Sequence, residues 1–224
     1  MKKIKKGMFI TIEGGEGSGK STLAHALYEE YKKKDFDVIL TREPGGNEIA
    51  EQIRNIAVNN DVDPITHLLL FTAARRINCK DIIIPALNED KLVICDRFIT
   101  SSLVYQGIMG KIPIEKIIKL QKFAIYHNGK GAIPDIELIL NIDPEKGMER
   151  IRNRGLNNIF DMKSLEYHQG INNAFKNARS ISIANRVYSI DANVNKEIVK
   201  SQAIDFIDNM MNKMIKTEGI YNAE

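Results

Sequence analysis

The chain is 224 residues long, with 43% hydrophobic and 27% charged residues and a net charge of 32 − 29 = +3. These proportions exclude a disordered, collagenous or membrane-spanning chain and suffice for a buried core without disulfides or metal. The small charge makes no case for nucleic acid, and two cysteines, Cys79 and Cys95, form no disulfide framework and point to a reducing compartment.

The basic head at residues 1–6 is followed by an apolar stretch, 8–12, too short for a signal sequence, so a cytosolic protein is expected. Residues 8–13 read as a strand that stops at a glycine cluster, and 21–34 as a helix with Leu23, Ala24, Leu27, Tyr28 and Tyr31 on one face. A second strand covers 38–43 and ends at Pro44-Gly45-Gly46. Residues 47–59 are helical, with Ile49, Ile53, Ile56 and Ala57 in phase, and Pro64 opens a longer helix carrying Leu68, Phe71, Ala74 and Arg75. Residues 91–95 form a short apolar strand of the kind buried on both faces in a parallel sheet. Helices follow at 101–107 and 114–126, a strand at 136–142, helices at 144–154 and 164–178, a fifth strand at 186–190 and a last helix at 196–215. The stretch 155–163, GLNNIFDMK, lacks periodicity and reads as a mobile insertion, and the tail 217–224 as frayed. Strand and helix alternate throughout without repeat or linker. The expected fold is one doubly wound α/β domain over 1–224, a mostly parallel five-stranded sheet with helices on both faces and a short lid at 150–163.

Gly14, Gly15, Glu16, Gly17, Ser18, Gly19, Lys20 and Ser21 fit G-x-x-x-x-G-K-[ST] between a strand and a helix, the context this phosphate loop requires. Glycines let backbone N–H groups converge on phosphate oxygens, and the helix start adds unpaired donors. Lys20 would reach the β/γ-phosphates and Ser21 would coordinate Mg2+. The loop implies ATP or GTP without saying what is done with it. A GTPase would carry N-K-x-D; the nearest fragment, Asn195-Lys196-Glu197-Ile198, lacks the Asp. The chain is short for a motor ATPase.

Asp96 and Arg97 stand at the carboxyl end of the strand at 91–95, where ligands of such sheets bind. Asp96 is placed to act on Mg2+ through water, and the Arg97 fork suits two phosphate oxygens. Five stretches in order now resemble the thymidylate kinase family, which phosphorylates dTMP to dTDP: IEGGEGSGKST (12–22), TREPGG (41–46), LLLFTAARR (68–76), DRFITSSLVYQG (96–107) and PDIELILNIDPEKGMERIRNRG (134–155). The helix LEYHQGINNAF (165–175) matches in character.

The resemblance implies roles residue by residue. Glu16 faces the acceptor's sugar and phosphate and can bond the 3′-hydroxyl. Arg42 and Glu43, held by the Pro44-Gly45 turn, lie near the acceptor phosphate. Phe71 stacks on thymine, and Arg75, on the same helical face, donates to its O4, which rejects the amino group of cytosine. Ser101, Ser102, Tyr105 and Gln106 line the base and sugar pocket, with Tyr105 crowding out a 2′-hydroxyl. Residues Gly14 to Thr22 and Arg150 hold the nucleotide, and Lys20, Glu16, Arg97 and Arg154 carry the chemistry. Gly17 stands where some relatives have arginine, so the lid is expected to supply charge from Arg150, Arg152 and Arg154. The lid arginine that some relatives place before an acid is Ile159 here. His25, His67, His127 and His168 show no metal-ligand spacing and fit packing or solvated roles.

The expected activity is ATP- and Mg2+-dependent phosphorylation of dTMP by a cytosolic homodimer with no nucleic-acid or membrane partner. Another nucleotide or deoxynucleoside kinase, or a nucleotide-binding regulator with little turnover, stays open at this point.

Overall fold

The structure, a computed structural model, describes residues 6–155 and 158–221, the last eight of them by backbone alone. Strand β1 (Met8–Gly14) enters the phosphate loop and α1 (Lys20–Lys33). Strand β2 (Val38–Arg42) is followed by α2 (Glu48–Asn59) and α3 (Pro64–Asn78). Asn47 caps α2 by accepting from Ala50 N, and Asp63 caps α3 ahead of Pro64. A wide π-type turn, Cys79–Ile83, carries α3 on into α4 (Ile84–Asn88). Strand β3 (Leu92–Asp96) leads to the short α5 (Ile99–Ser102), a π-type segment Leu103–Met109, and α6 (Ile114–Ile125). A hairpin of β4 (Tyr126–His127) and β5 (Lys130–Gly131) precedes β6 (Ile136–Asn141). Then come α7 (Pro144–Arg154), α8 (Leu165–Lys176), β7 (Arg186–Asp191) and α9 (Lys196–Tyr221).

The main sheet has five parallel strands in the order β2-β3-β1-β6-β7. Alternate side chains of β1 serve opposite faces. Met8, Ile10 and Ile12 are buried with Leu23, Leu27 and Tyr31 of α1 and Ala203 and Ile207 of α9. Phe9 is buried on the other face with Ile83, Val93, Phe98 and Ile117. A fully buried side chain of this size contributes about 1.5–3 kcal/mol. The register aligns Ile12 with Asp96, so β1 continues past the end of β3 and the phosphate loop emerges beside Asp96 and Arg97.

Two acids lie buried under α5. Glu13 of β1 accepts from Phe98 N (2.7 Å), Ser101 N (3.2 Å) and Ser101 Oγ (2.6 Å). Glu137 of β6 accepts from Thr100 Oγ1 at 2.7 Å with Oε2, and its Oε1 is buried. Burial, with the Glu13 charge nearby, pushes the Glu137 carboxyl up to about 8.

Element types follow the sequence reading, with four local differences. Helix α5 starts at Ile99 and widens after Ser102, rather than running from 101 to 107 as one helix. Helical structure after α3 continues to Asn88, with Pro85 tolerated in the first turn of α4. The hairpin around Asn128-Gly129, both at positive φ, was not anticipated. Helix α9 extends to Tyr221, past the expected end at 215 and through part of the tail expected to fray. The expectations for residues 1–5, 156–157 and 222–224 lie outside the described residues. No described helix is long and apolar enough to cross a membrane.

Glu137 makes stability pH-dependent in a definite sense. Its native pKa lies above the usual 4.5, so between about 4.5 and about 8 the native state binds the extra proton. The stability it contributes is therefore complete below that window and lost as pH rises through it. Glu137→Gln keeps the shape without the titration. Thermal unfolding should show the variant gaining on the parent at pH 8 relative to pH 5; an equal difference at both would contradict the assignment.

Candidate active site

The loop between β1 and α1 folds on itself. Lys20 Nζ donates to Gly15 O (2.6 Å) and Ser18 Oγ (3.2 Å), and Ser18 Oγ donates to Gly15 O (2.8 Å). Burial, reinforced by the Arg97 charge, lowers the Lys20 ammonium to about 7. Gly17 has φ 73, and a Cβ there would stand 2.3 Å from the Gly147 carbonyl of α7. Loop and helix thus touch backbone to backbone, which excludes an arginine at position 17. Arg150, one turn along α7, donates instead to Gly17 O (3.3 Å) and to Ala192 O (3.1 Å).

Ser21 Oγ donates to Asp96 Oδ2, while Asp96 Oδ1 is buried and has no partner among the described residues. These hard oxygens beside a phosphate loop suit Mg2+. No cluster of three or more His, Cys, Asp or Glu able to cage a metal exists among the described residues.

Arg97 leaves β3 in the left-handed region, φ 72, with its N–H donating to Ile12 O at 2.9 Å. Its guanidinium turns back across β1. Nη1 donates to Gly14 O (3.2 Å) and Ser101 Oγ (3.1 Å), and Nη2 donates to Glu16 Oε1 (2.8 Å). Tyr105 donates its hydroxyl to Glu16 Oε2 and offers its ring to the Arg97 guanidinium, 5.3 Å from the centroid. Burial alone would raise the Glu16 carboxyl, but Arg97 and Lys20 overcome it and hold Glu16 below the usual carboxylate range.

The same cavity ends among aromatic rings. Phe71 stacks on His67 (5.6 Å between centroids), and Phe160 closes on His67 (5.4 Å) and Tyr105 (5.8 Å). At its floor the buried Arg75 donates from Nε to Glu43 (2.6 Å), from Nη1 to Ser102 Oγ (3.0 Å) and Gln121 Oε1 (2.6 Å), and from Nη2 to Phe98 O (2.8 Å). Glu43 is turned to Arg75 and Asn78, while Arg42 forks onto Glu51 at the rim (3.2 and 2.9 Å).

Phe160 belongs to the segment expected to be a lid. Its neighbour Ile159 donates its N–H to Val58 O at the end of α2 (3.1 Å). Asp161, buried, accepts from Arg154 (2.8 Å) and Asn158 Nδ2 (3.1 Å). Arg154 therefore reaches the cavity, whereas Arg152 is exposed and lines neither the main cavity nor the second one. Arg150 lines that second cavity, beside the loop, with Ser18, Gly19, Thr22 and Val194.

One cavity thus brings together Glu16, Gly17, Gly19, Lys20, Ser21, Thr22, Arg42, Glu43, Phe71, Arg75, Asp96, Arg97, Ser101, Ser102, Tyr105, Gln106 and Arg154. Gly14 and Gly15 touch it through their carbonyls to Arg97 and Lys20. Sequence reasoning missed Arg54, which lines the cavity and donates to Pro44 O (2.9 Å), and also Phe160, Asn158 and Asp161. Arg54 sits in an ordinary amphipathic helix with no motif around it. The stretch 155–163 shows a lack of periodicity and, at Ile159, a departure from the relatives' lid pattern, and neither marks Phe160, Asn158 or Asp161 as lining a cavity. Six basic side chains meet four acidic ones here, an arrangement suited to a polyanion at one end and a flat ring at the other.

Comparison with known proteins bears on the same residues. The family model described as "Thymidylate kinase" matches residues 12–203. The thymidylate kinase of Shouchella clausii is 38% identical over 213 residues, covering 93% of this chain and 98% of the relative. That of Halalkalibacterium halodurans is 40% identical over 210 residues, covering 91% and 97%. Among solved structures, the thymidylate kinase of Ehrlichia chaffeensis superposes with a TM-score of 0.68 at 31% identity, covering 90% of this chain and 99% of that one.

The contact between Gly17 and Gly147 gives a stability test. Gly17→Ala adds a Cβ both to a left-handed residue, costing about 1–2 kcal/mol, and against a carbonyl. The melting temperature should fall by about 4 °C or more, at about 2–4 °C per kcal/mol. Gly19→Ala, where a Cβ at φ 92 meets nothing within 4 Å, should cost less. Equal losses would assign the cost to backbone conformation alone.

Proposed function

The chain belongs to the thymidylate kinase family, and on that premise we propose that it transfers the γ-phosphoryl group of ATP to the 5′-phosphate of dTMP, giving dTDP and ADP. The observation that carries this reading is the single cavity running from Lys20 and Ser21 to Phe71 and Arg75. A triphosphate needs the first end, and a flat base with an acceptor oxygen needs the second.

The phosphate loop, Gly14 to Thr22, cradles the donor, with Arg150 beside it. Lys20 exchanges its own loop's oxygens for those of the β/γ-phosphates. Ser21, with Asp96 acting through water, would hold Mg2+, which would supply charge neutralisation at the phosphates. Phe71 stacks on thymine. The one Arg75 N–H not engaged in the protein donates to thymine O4, and Ser102 and Gln106 address the N3/O2 edge. Glu16 accepts from the 3′-hydroxyl while Tyr105 crowds the 2′ position. Arg97, with Arg42 and Arg54 at the rim, holds the acceptor phosphate. That phosphate is already an anion, so no strong base is required, and catalysis is alignment and charge stabilisation by Lys20, Arg97 and Arg154. Residues 150–163 act as a lid on a single domain, excluding water from the donor phosphate.

The protein works in the cytosol without a membrane or nucleic-acid partner. It does so as a homodimer through the outward faces of α2, α3 and α6. Ile49, Ile56, Ile65, Leu69 and Phe123 lie exposed there, Phe123 by 82%. Large apolar side chains left exposed on helices that pack on one another, α2 on α3 and α3 on α6, support this reading.

An ADP-release assay across dTMP, dUMP, dCMP, thymidine and no acceptor tests the activity. dTMP should be the best acceptor. Lys20→Ala should cut its turnover by about 100-fold or more while the melting curve stays in place. Turnover indifferent to acceptor, or thymidine as the best one, would overturn the reading.

Light scattering at micromolar concentration should give about twice the 25.3 kDa chain mass, and Phe123→Asp should shift it toward the monomer. A monomer mass for the parent would refute the dimer.

A further inference from the structure

We propose that Gln121, a side chain of α6 that does not line the cavity, sets base selectivity by fixing the guanidinium of Arg75. The proposal rests on the base-reading role given to Arg75 above.

The argument is a count of protons. The Thr72 hydroxyl donates its one proton to Leu68 O (2.6 Å), so toward any other neighbour it can only accept. Gln121 Nε2 donates to that hydroxyl oxygen at 2.8 Å. The amide oxygen must then point the other way, and it accepts from Arg75 Nη1 at 2.6 Å. A guanidinium has no acceptor, so this link also has one permitted direction. Turning the amide over would set NH2 against guanidinium N–H and strand both ends of the chain. Gln121 is fully buried, so bulk solvent does not repair such a fault.

The consequence falls on Arg75. Of its five N–H groups, Nε is taken by Glu43, both on Nη1 by Gln121 and Ser102, and one on Nη2 by Phe98 O. One Nη2 donor remains to meet a ligand. A pyrimidine presenting a carbonyl oxygen there is accepted; one presenting an amino group places donor against donor and is rejected. Without the Gln121 acceptor, an Nη1 proton is left bare in a buried site. The guanidinium then pivots about its bond to Glu43, and the single donor is no longer aimed. Gln121 touches neither substrate nor reacting atoms, so it is a positioning residue.

The rival role is structural: Gln121 bridges α6 and α3, and its loss could merely loosen them. Steady-state kinetics with dTMP, dCMP and ATP separate the two. Gln121→Leu should raise KM for dTMP by about tenfold and lower the dTMP-to-dCMP preference by a similar factor, with KM for ATP within about twofold. Gln121→Glu, which keeps the acceptor facing Arg75, should return KM for dTMP to within about threefold of the parent. Thr72→Val removes the hydroxyl that orients the amide and should move selectivity in the same direction by less. A Gln121→Leu enzyme with a lower melting temperature but unchanged KM and preference would overturn the proposal. Where that variant does not fold, unchanged preference in Thr72→Val does the same. Arg75→Lys serves as the reference. If it too leaves dTMP binding and preference intact, the base-reading role itself has failed, whereas a sensitive Arg75 beside an indifferent Gln121 removes only this inference.

Discussion

The Glu13 carboxylate accepts hydrogen bonds from two backbone amides, Phe98 and Ser101, and from the Ser101 hydroxyl. The chain between those amides and β3 contains Arg97, whose φ of 72 would cost a residue with a Cβ about 1–2 kcal/mol if nothing held it. Two bonds to β1 hold it: Arg97 N to Ile12 O, and Phe98 N to Glu13. The exit of β3 is thereby stitched to the neighbouring strand one step before the phosphate loop begins. The Ser101 proton is spent on Glu13, so its oxygen is left to accept from Arg97 Nη1. The arginine that spans the cavity is positioned from below by a carboxylate it does not touch.

That placement sets the charge pattern above it. A buried cation without a partner is expensive, and the buried arginines Arg97 and Arg75 each face an acid. Arg97 faces Glu16, Arg75 faces Glu43, Arg154 faces Asp161, and Lys20 turns to its own loop. Lys20 has the poorest partners, two neutral oxygens, and it is the group that burial lowers to about 7. A phosphate would relieve the cost of its charge. Glu16 is in the opposite position: two cations and the Tyr105 hydroxyl keep it ionised despite burial. It therefore remains a hydrogen-bond acceptor, the form needed to meet a hydroxyl group.

The phosphate loop, the five strands and the Asp96-Arg97 pair were legible because each rests on local chemistry: glycines at positive φ, short β-branched runs, an acid and a base at a strand end. Phe71 and Arg75 were legible as a pair on one helical face. What surrounds them was not. Gln121 lies on a different helix, and nothing in KLQKFA marks a buried amide whose proton is assigned by Thr72. Asn78, which supports Glu43, reads as a polar residue at a helix end. The reason for Gly17 was also hidden, because the obstacle is the carbonyl of Gly147, 130 residues later in the chain. Burial and cross-chain hydrogen bonds decide these cases, and neither has a period that a sequence can display. The Asn128-Gly129 turn is different: its signal stands in the sequence itself, as the residue pair best able to adopt the positive φ found at both positions.

The two ends of the cavity are built from unlike materials, and chemistry requires that they be. Recognition of a base edge depends on one donor held to within a fraction of an ångström, and Arg75 is held by contacts from α5, α6, the end of β3 and the turn after β2. Phosphoryl transfer needs charge delivered as the reacting groups come together and water shut out. A rigid wall cannot do that without also barring the nucleotide's entry. Arg154 stands instead at the end of α7, paired with Asp161 of the following segment, which meets α2 and the turn after it through Ile159 N–H to Val58 O and Lys163 to Asp61. Phe160 on that segment leans on Phe71 and Tyr105 (6.5 and 5.8 Å), so the ring that lines the base pocket belongs to the element that carries the arginine. The ring beside Phe71 and the arginine facing Asp161 thus lie within a few residues of each other in the chain.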